Sequence, residues 1–208
     1  MDLSSMSYVV VDVETTGLYP HEGHEIIEIG AIKIENNNVT DDVFETYVKP
    51  TRPVPTEIHR ISGITQEHVK DAPPIQHVMP RFLSFIGSKT LVAQNAKFDL
   101  GFIQASLKRA GCSPLSNNFL DTMLMSKKLF FYENEHNLDA ILRRLQIEHD
   151  ITRHRSIGDC KLTGLAFLKM IEILKKKNKN SLKNLSDFAV KPSAKVKIKE
   201  TAKNLSLF

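Results

Sequence analysis

The sequence lacks the features that mark secreted and membrane proteins. It has two cysteines, Cys112 and Cys160, in 208 residues. Two cysteines are too few for a disulfide framework, and these two do not have the spacing of a zinc site. No apolar run approaches the roughly 18 residues that span a bilayer. The first residues hold no basic segment followed by an apolar one, so no signal peptide is expected. We therefore expect a cytoplasmic protein with no membrane partner, whose cysteines are small apolar fillers.

The composition is typical of one globular domain with an appendage. Hydrophobic residues make up 41% and charged residues 25% of the chain, as in soluble proteins. The net charge of +4 is uneven, because the part from Lys169 onward has 11 lysines and 3 acids, a net of +8 that leaves −4 for the rest. An acidic body with a basic tail fits a metal-binding enzyme whose tail meets nucleic acid or an acidic partner. A lysine-rich tail that is merely soluble fits equally well.

The order of the apolar segments predicts an α/β domain. Three strands come first, at residues 9–13, 26–34 and 39–48, with an asparagine turn before the third. We then expect strands at 90–93 and 119–121 and helices at 56–61, 73–86, 98–110, 122–129, 138–145 and 157–176. This order predicts one mixed five-stranded sheet with helices on both faces. The domain should end at residue 177, and residues 178–208 should form a flexible basic tail.

Two acids lie in the first predicted strand, in the segment VVVDVETTGL. Strand side chains alternate, so Asp12 and Glu14 point to the same face, with attachment points roughly 7 Å apart. An unpaired buried charge is costly, whereas two carboxylates at this separation can share a pair of divalent cations about 3.5–4 Å apart. The strand therefore predicts a two-metal site.

Three further residues complete a candidate site. Asp99 lies in the first turn of the helix that follows the fourth strand, and His154 and Asp159 lie at the start of the last helix. Singly, the two acids are typical of helix-stabilising residues and the histidine of a surface residue. Together, four carboxylates repel one another unless cations neutralise them, and oxygen ligands suit Mg²⁺ or Mn²⁺. A histidine with a pKa near 6.5 can take a proton from an attacking water.

Several separated segments carry a family resemblance that runs from about Ser7 to Leu174. They are VVDVETTGL, IIEIGAIKI, ISGIT, AQNAKFDLGFI, LDTMLMSKKL, HNLDAIL and HRSIGDC. With the acids in this order, the chain resembles the DEDDh exonucleases, also called the DnaQ-like family. One departure is Gln94, where members commonly have histidine before Asn-Ala. That position is not a metal ligand in the family pattern.

The resemblance implies an RNase H-like fold and the release of nucleoside 5′-monophosphates from a 3′ end. It implies two Mg²⁺ (or Mn²⁺) ions held by Asp12, Glu14, Asp99 and Asp159, with His154 as the general base. It also implies substrate contacts: the terminal nucleotide would meet Thr15, Gly17 and Leu18, and the groove would be lined by Asn95 and Phe98. Simple packing is the alternative for Leu18 and Phe98. Two other acids are expected to be structural, namely Glu28 within a strand and Asp121 as a helix cap.

The last five residues are an apolar cluster at the end of a polar stretch: Asn204, Leu205, Ser206, Leu207 and Phe208. Such a cluster favours docking into a partner's pocket. It resembles the pentapeptide by which bacterial replication proteins bind the sliding clamp, with Asn204 in place of glutamine. A chance match is the alternative.

These features favour a bacterial proofreading-type 3′–5′ exonuclease. Its expected partners are DNA with a free 3′ end (single-stranded or frayed), the sliding clamp and a replicative polymerase subunit. One alternative is an RNA-trimming exonuclease of the same family. The other is a non-catalytic clamp or nucleic-acid adaptor on an inactive nuclease fold, which the intact acids and His154 disfavour.

Overall fold

The protein, in a computed structural model that describes residues 7–177 and 188–190, is built on one mixed sheet. The strands are β1 (Tyr8–Thr15), β2 (Ile26–Glu35), β3 (Asn38–Tyr47), β4 (Thr90–Ala93), β5 (Phe119–Asp121) and β6 (Ala189–Val190). The helices are α1 (Thr56–Ser62), α2 (Gln66–Val69), α3 (Ile75–Ile86), α4 (Ala96–Arg109), α5 (Thr122–Leu129), α6 (Leu138–Arg144) and α7 (Ser156–Lys176). Among the described residues, no helix combines the length and apolar character needed to cross a membrane.

The strands lie in the order β3-β2-β1-β4-β5-β6. The first three form an antiparallel meander, while β4 runs parallel to β1 and β5 runs parallel to β4. The meander arises because β2 and β3 are joined by a tight turn, whereas the parallel strands are separated by helices. In this register Asp12 pairs with Gly30 and Glu14 pairs with Glu28. The site therefore lies where the carboxyl ends of β1 and β4 meet.

Strand β1 separates two apolar cores because its side chains alternate between the faces of the sheet. Val9, Val11 and Val13 pack on the face that carries α3 and α4. Tyr8 and Val10 pack on the opposite face, beneath α5, α6 and α7. Burial on both faces explains the continuous apolar sequence of β1. It also explains why a charged residue in this strand signals a site.

The predicted mixed five-stranded sheet with helices on both faces is confirmed, and β6 adds two residues at the β5 edge. The structure also contains α2 and a short 3-10 turn, Pro20–Glu22, which the periodicity did not predict. Asp121 caps α5, as expected, by accepting hydrogen bonds from the Met123 and Leu124 amides at 2.8 and 3.3 Å. Buried Cys160 behaves as the expected apolar filler.

Residues 188–190 fall inside the range expected to be a flexible tail. Phe188 is buried in the core beneath α7, and the Lys128 ammonium lies 5.1 Å from its ring centre. Strand β6 pairs antiparallel with β5. At this point the tail packs on the domain, because a large apolar side chain gains free energy by leaving water.

Candidate active site

Three carboxylates meet at the end of β1. Asp12, Glu14 and Asp159 each offer an oxygen, and these oxygens all lie within 4.8 Å of one another. The alternation of β1 places the first two side chains on the face that α7 covers. Asp159 joins them from the first turn of α7. The expected grouping of acids from the first strand and the last helix is therefore present.

A glycine in β2 lets α7 approach the sheet closely enough to deliver Asp159. A Cβ atom on Gly30 would lie 2.7 Å from the carbonyl carbon of Ser156, the first residue of α7. Real Cβ atoms do not tolerate such a contact with backbone. The absence of a side chain at position 30, which pairs with Asp12, therefore sets the height of the helix above the site.

The fourth acid comes from α4 and is fixed to β1 by a hydrogen bond. Asp99 is buried and accepts from the Val13 backbone amide at 3.2 Å. The start of α4 is held by Asp121, which accepts from the Ala96 amide at 3.1 Å. The residue before the helix, Asn95, has a left-handed backbone with φ of 59°, which asparagine tolerates better than most residues.

The four acids line one cleft with a volume of about 160 Å³. Eight of the ten residues expected at the catalytic and substrate sites line it: Asp12, Glu14, Leu18, Asn95, Phe98, Asp99, His154 and Asp159. Thr15 and Gly17 lie in the turn that carries Leu18, and the Thr15 hydroxyl donates to the Gly17 carbonyl at 2.6 Å. Leu18 is 36% exposed, so it offers an apolar surface to the cleft. Phe98 is half-buried against Phe102, with ring centres 5.0 Å apart.

The carboxylates are in an environment that disfavours their charge. Burial, reinforced by Asp99 and Glu14, raises the pKa of Asp12 well above its usual value. Burial likewise raises the pKa of Asp99. For Glu14, burial and the neighbouring Asp159 and Glu28 raise the pKa to about 8. A divalent cation would relieve this repulsion, so the donor set fits the Mg²⁺ or Mn²⁺ that the pattern implies.

His154 lies between two arginines, each of which is anchored to acids. Its backbone is left-handed, with φ of 59°, a conformation that persists in a non-glycine residue only where its surroundings hold it. On one side, Arg155 donates to buried Glu28 at 2.7 Å and to the Tyr47 hydroxyl at 2.8 Å. On the other, Arg153 reaches Asp139 and Asp159. Glu28 is thus a satisfied structural acid, as expected.

The cleft also contains residues that sequence reasoning did not assign to the site. These are Val13, Gln94, Met123, Asn137, Leu138, Asp139 and Arg153. Gln94 replaces the family histidine, and its amide donates to the His136 carbonyl at 2.9 Å and accepts from the Thr122 hydroxyl at 2.5 Å. Arg153 is adjacent to His154 in the sequence, and this adjacency is the only local feature that could have assigned it to the site. The five C-terminal residues, 204–208, lie outside the described part of the chain.

Comparisons with known proteins agree with this geometry. A sequence profile described as "Exonuclease" matches residues 9–167. The chain is 41% identical over 175 residues to a DNA polymerase III subunit epsilon-like protein of Rhodobacter capsulatus, covering 83% of this chain and 25% of that protein. It is 37% identical over 190 residues to a PolC-type DNA polymerase III of Caldanaerobacter subterraneus, covering 91% and 13%. The chain thus spans a quarter or less of these two relatives.

A shorter relative is matched over most of its length. The DNA polymerase III subunit epsilon of Rickettsia felis is 35% identical over 173 residues, covering 81% of this chain and 75% of that protein. Exonuclease X, solved in complex with 5′ overhanging duplex DNA, superposes with a TM-score of 0.67 at 22% identity, covering 87% of this chain and 98% of that chain. The nuclease domain of 3′hExo, a DEDDh family member solved with rAMP, gives 0.70 at 18% identity with the same coverage. Fold, acid pattern and sequence similarity together show that the chain belongs to the exonuclease family, as a DnaQ-like (DEDDh) member with the RNase H-like fold.

Proposed function

We propose that this protein is a metal-dependent 3′–5′ exonuclease that proofreads DNA in the bacterial cytoplasm. It would hydrolyse phosphodiester bonds at DNA 3′ ends and release nucleoside 5′-monophosphates. The observation that carries the proposal is the convergence of four buried or half-buried acids and His154 on one cleft. The relatives named as epsilon subunits of DNA polymerase III support DNA as the substrate.

The acids have one role in this proposal. Asp12, Glu14, Asp99 and Asp159 would hold the divalent cations. Two bound Mg²⁺ or Mn²⁺ ions would supply charge stabilisation for the attacking and leaving oxygens of the displacement.

The remaining cleft residues would place the 3′ end and move a proton. His154 would accept the proton of the attacking water, since neutral imidazole is a base near pH 7. Leu18 would provide an apolar surface for the terminal base, and Phe98, on α4, would line the groove that receives the strand. The turn at Thr15 and Gly17 would present backbone N–H groups to the terminal nucleotide.

A nuclease assay tests both the activity and its direction. Full-length protein with Mg²⁺ is incubated with matched DNA and RNA oligonucleotides labelled at the 3′ or the 5′ end. The proposal predicts mononucleotide release from the 3′ end of DNA, and loss of turnover by orders of magnitude in Asp12→Ala. Asp41→Ala, which removes an exposed acid of β3, is the matched control and should keep wild-type turnover. Unchanged turnover in Asp12→Ala would refute the mechanism.

The same assay separates the alternatives. Faster degradation of RNA than of DNA would favour an RNA-trimming enzyme, which the fold also allows. Absence of cleavage on both polymers would favour a non-catalytic adaptor. The four acids and His154 are intact, so we expect cleavage.

We further propose that residues 204–208 bind the sliding clamp, and that a replicative polymerase subunit is a second partner. The first idea rests on the resemblance of Asn204-Leu205-Ser206-Leu207-Phe208 to a clamp-binding pentapeptide. The second rests on relatives named as DNA polymerase III subunit epsilon or as similar to it. Deleting residues 204–208 should abolish binding to purified clamp while oligonucleotide turnover stays unchanged. Clamp binding that survives the deletion would disprove the first idea.

A further inference from the structure

The Arg153 side chain forms hydrogen bonds with two acids of the cleft. Its Nε donates to an oxygen of Asp139 at 2.7 Å, and a terminal guanidinium nitrogen donates to an oxygen of Asp159. All three residues line the cleft. The arginine side chain is 21% exposed, so its charge is only partly solvated and its interactions are correspondingly strong.

The two acids differ in their surroundings. Asp159 belongs to the cluster of three carboxylates that offers a site for a cation. Asp139 lies at the start of α6 and is 55% exposed, so it is a partner in a more solvated position. The guanidinium therefore bridges an inner carboxylate and an outer one.

A divalent cation in the cleft and the Arg153 guanidinium would bind the same carboxylate, that of Asp159. Both bind carboxylate oxygens, and both are positive, so they repel each other at short range. Arginine cannot become neutral by losing a proton in a protein. It can weaken its hold on Asp159 only by moving, and its second contact limits how far it moves.

From these contacts, and resting on the proposed metal-dependent function, we propose that Arg153 competes with the divalent cation for Asp159. Asp139 is the acceptor that retains the guanidinium when the cation takes the inner carboxylate. Arg153 thus lowers the cation affinity of the cleft. Asp139 determines how readily the Arg153 guanidinium moves away from Asp159.

The proposal predicts effects of opposite sign for two neighbouring substitutions. Arg153→Gln removes the competitor and should tighten cation binding about tenfold or more, the factor expected for losing one charge-assisted hydrogen bond. Asp139→Asn replaces the retaining carboxylate by a neutral amide, a weaker acceptor, so Arg153 should bind Asp159 more strongly and cation binding should weaken. In the double variant Arg153→Gln/Asp139→Asn, the effect of the second substitution should largely disappear, because the residue it acts through is absent.

A matched control separates this competition from a general change of charge. Lys70 forms an ion pair with Glu67 in which both side chains are well exposed, at 52% and 75%, and neither residue lines the cleft. Lys70→Gln removes one positive charge, as Arg153→Gln does, but from a pair outside the cleft. It should leave cation affinity unchanged.

Isothermal titration of the full-length chain with Mn²⁺, and separately with Mg²⁺, measures these affinities without relying on turnover. Thermal unfolding in EDTA and in excess Mn²⁺ provides a second readout: the stabilisation by the cation should be larger in Arg153→Gln than in wild type. Equal or weaker Mn²⁺ binding by Arg153→Gln, or tighter binding by Asp139→Asn, overturns the proposal. If the wild-type chain binds neither cation, the proposed function fails as well, so the two failures are distinguishable.

Discussion

Replacing Glu28 by glutamine tests whether the anchor beside His154 supports both folding and turnover. Glu28 is 1% exposed and accepts from Arg155 at 2.7 Å and from the Ser156 amide at 2.9 Å. Glutamine has nearly the same shape but no charge, and its NH₂ group would face a donor. Glu28→Gln therefore removes the charge that holds the first residue of α7 and the residue after His154.

The expected loss of stability follows from the burial of the pair. Breaking a fully buried ion pair costs about 3–5 kcal/mol. The Arg155 side chain is 37% exposed, so water compensates for part of its lost partner, and we expect a loss of about 2–3 kcal/mol. Glu135→Gln provides the matched control, because Glu135 forms an ion pair with Arg143 in which both side chains are well exposed, at 66% and 69%. The same change there should cost about 0–1 kcal/mol.

Urea unfolding followed by circular dichroism measures both losses, and oligonucleotide turnover is measured in the same preparations. Turnover by folded Glu28→Gln should fall about tenfold or more, because a freed loop spends less time with His154 in position to accept a proton. The KM should change less than kcat, since Glu28 does not line the cleft. A stability loss no larger than that of Glu135→Gln, with wild-type kcat, would refute the anchoring role.

Two other outcomes follow from the site. In EDTA, the stability of the fold should fall as the pH rises from about 4.5 to about 8. The raised pKa of Glu14 makes the folded state keep a proton that the unfolded state releases over this range. Melting temperatures measured across the range check the sign, and saturating Mn²⁺ should flatten the dependence on pH. Gly30→Ala should cost about 1–3 kcal/mol by pushing Ser156 and α7 away from the sheet. In Gly101→Ala the new methyl group has its nearest neighbour at 3.8 Å, so this control should be neutral or slightly stabilising in urea unfolding.

The parts of the site that depend on local geometry were predictable from the sequence. Asp12 and Glu14 share a face because strand side chains alternate, and this holds for any strand whatever its partners. Asp99 and Asp159 are typical helix-stabilising acids when taken singly, and they were assigned to the site because one sheet could bring them together with Asp12, Glu14 and His154. Their convergence on one cleft needed only the expected α/β order.

The parts that depend on long-range packing were not predictable. Arg153 and Asp139 are 14 residues apart and on different elements, so no spacing rule relates them. The pairing of β6 with β5 was missed because a two-residue strand within a lysine-rich stretch has no periodicity. Phe188 and the two apolar residues after it form only a short apolar run in a basic stretch, and the core that receives Phe188 is known only from the packing. The approach of α7 to Gly30 likewise depends on the packing of two elements that lie more than 100 residues apart.

The location of the four acids along the chain has a consequence for biosynthesis. Asp12 and Glu14 leave the ribosome early, Asp99 follows near the middle, and His154 and Asp159 come only with the last long helix. A partly synthesised chain therefore carries the mutually repelling acids of the first strand without the helix that completes their arrangement. Such a chain should be unable to degrade nucleic acids, so hydrolysis would begin only when the domain is complete. In the proposed enzyme, the position of the acids along the chain therefore makes activity depend on the synthesis of α7.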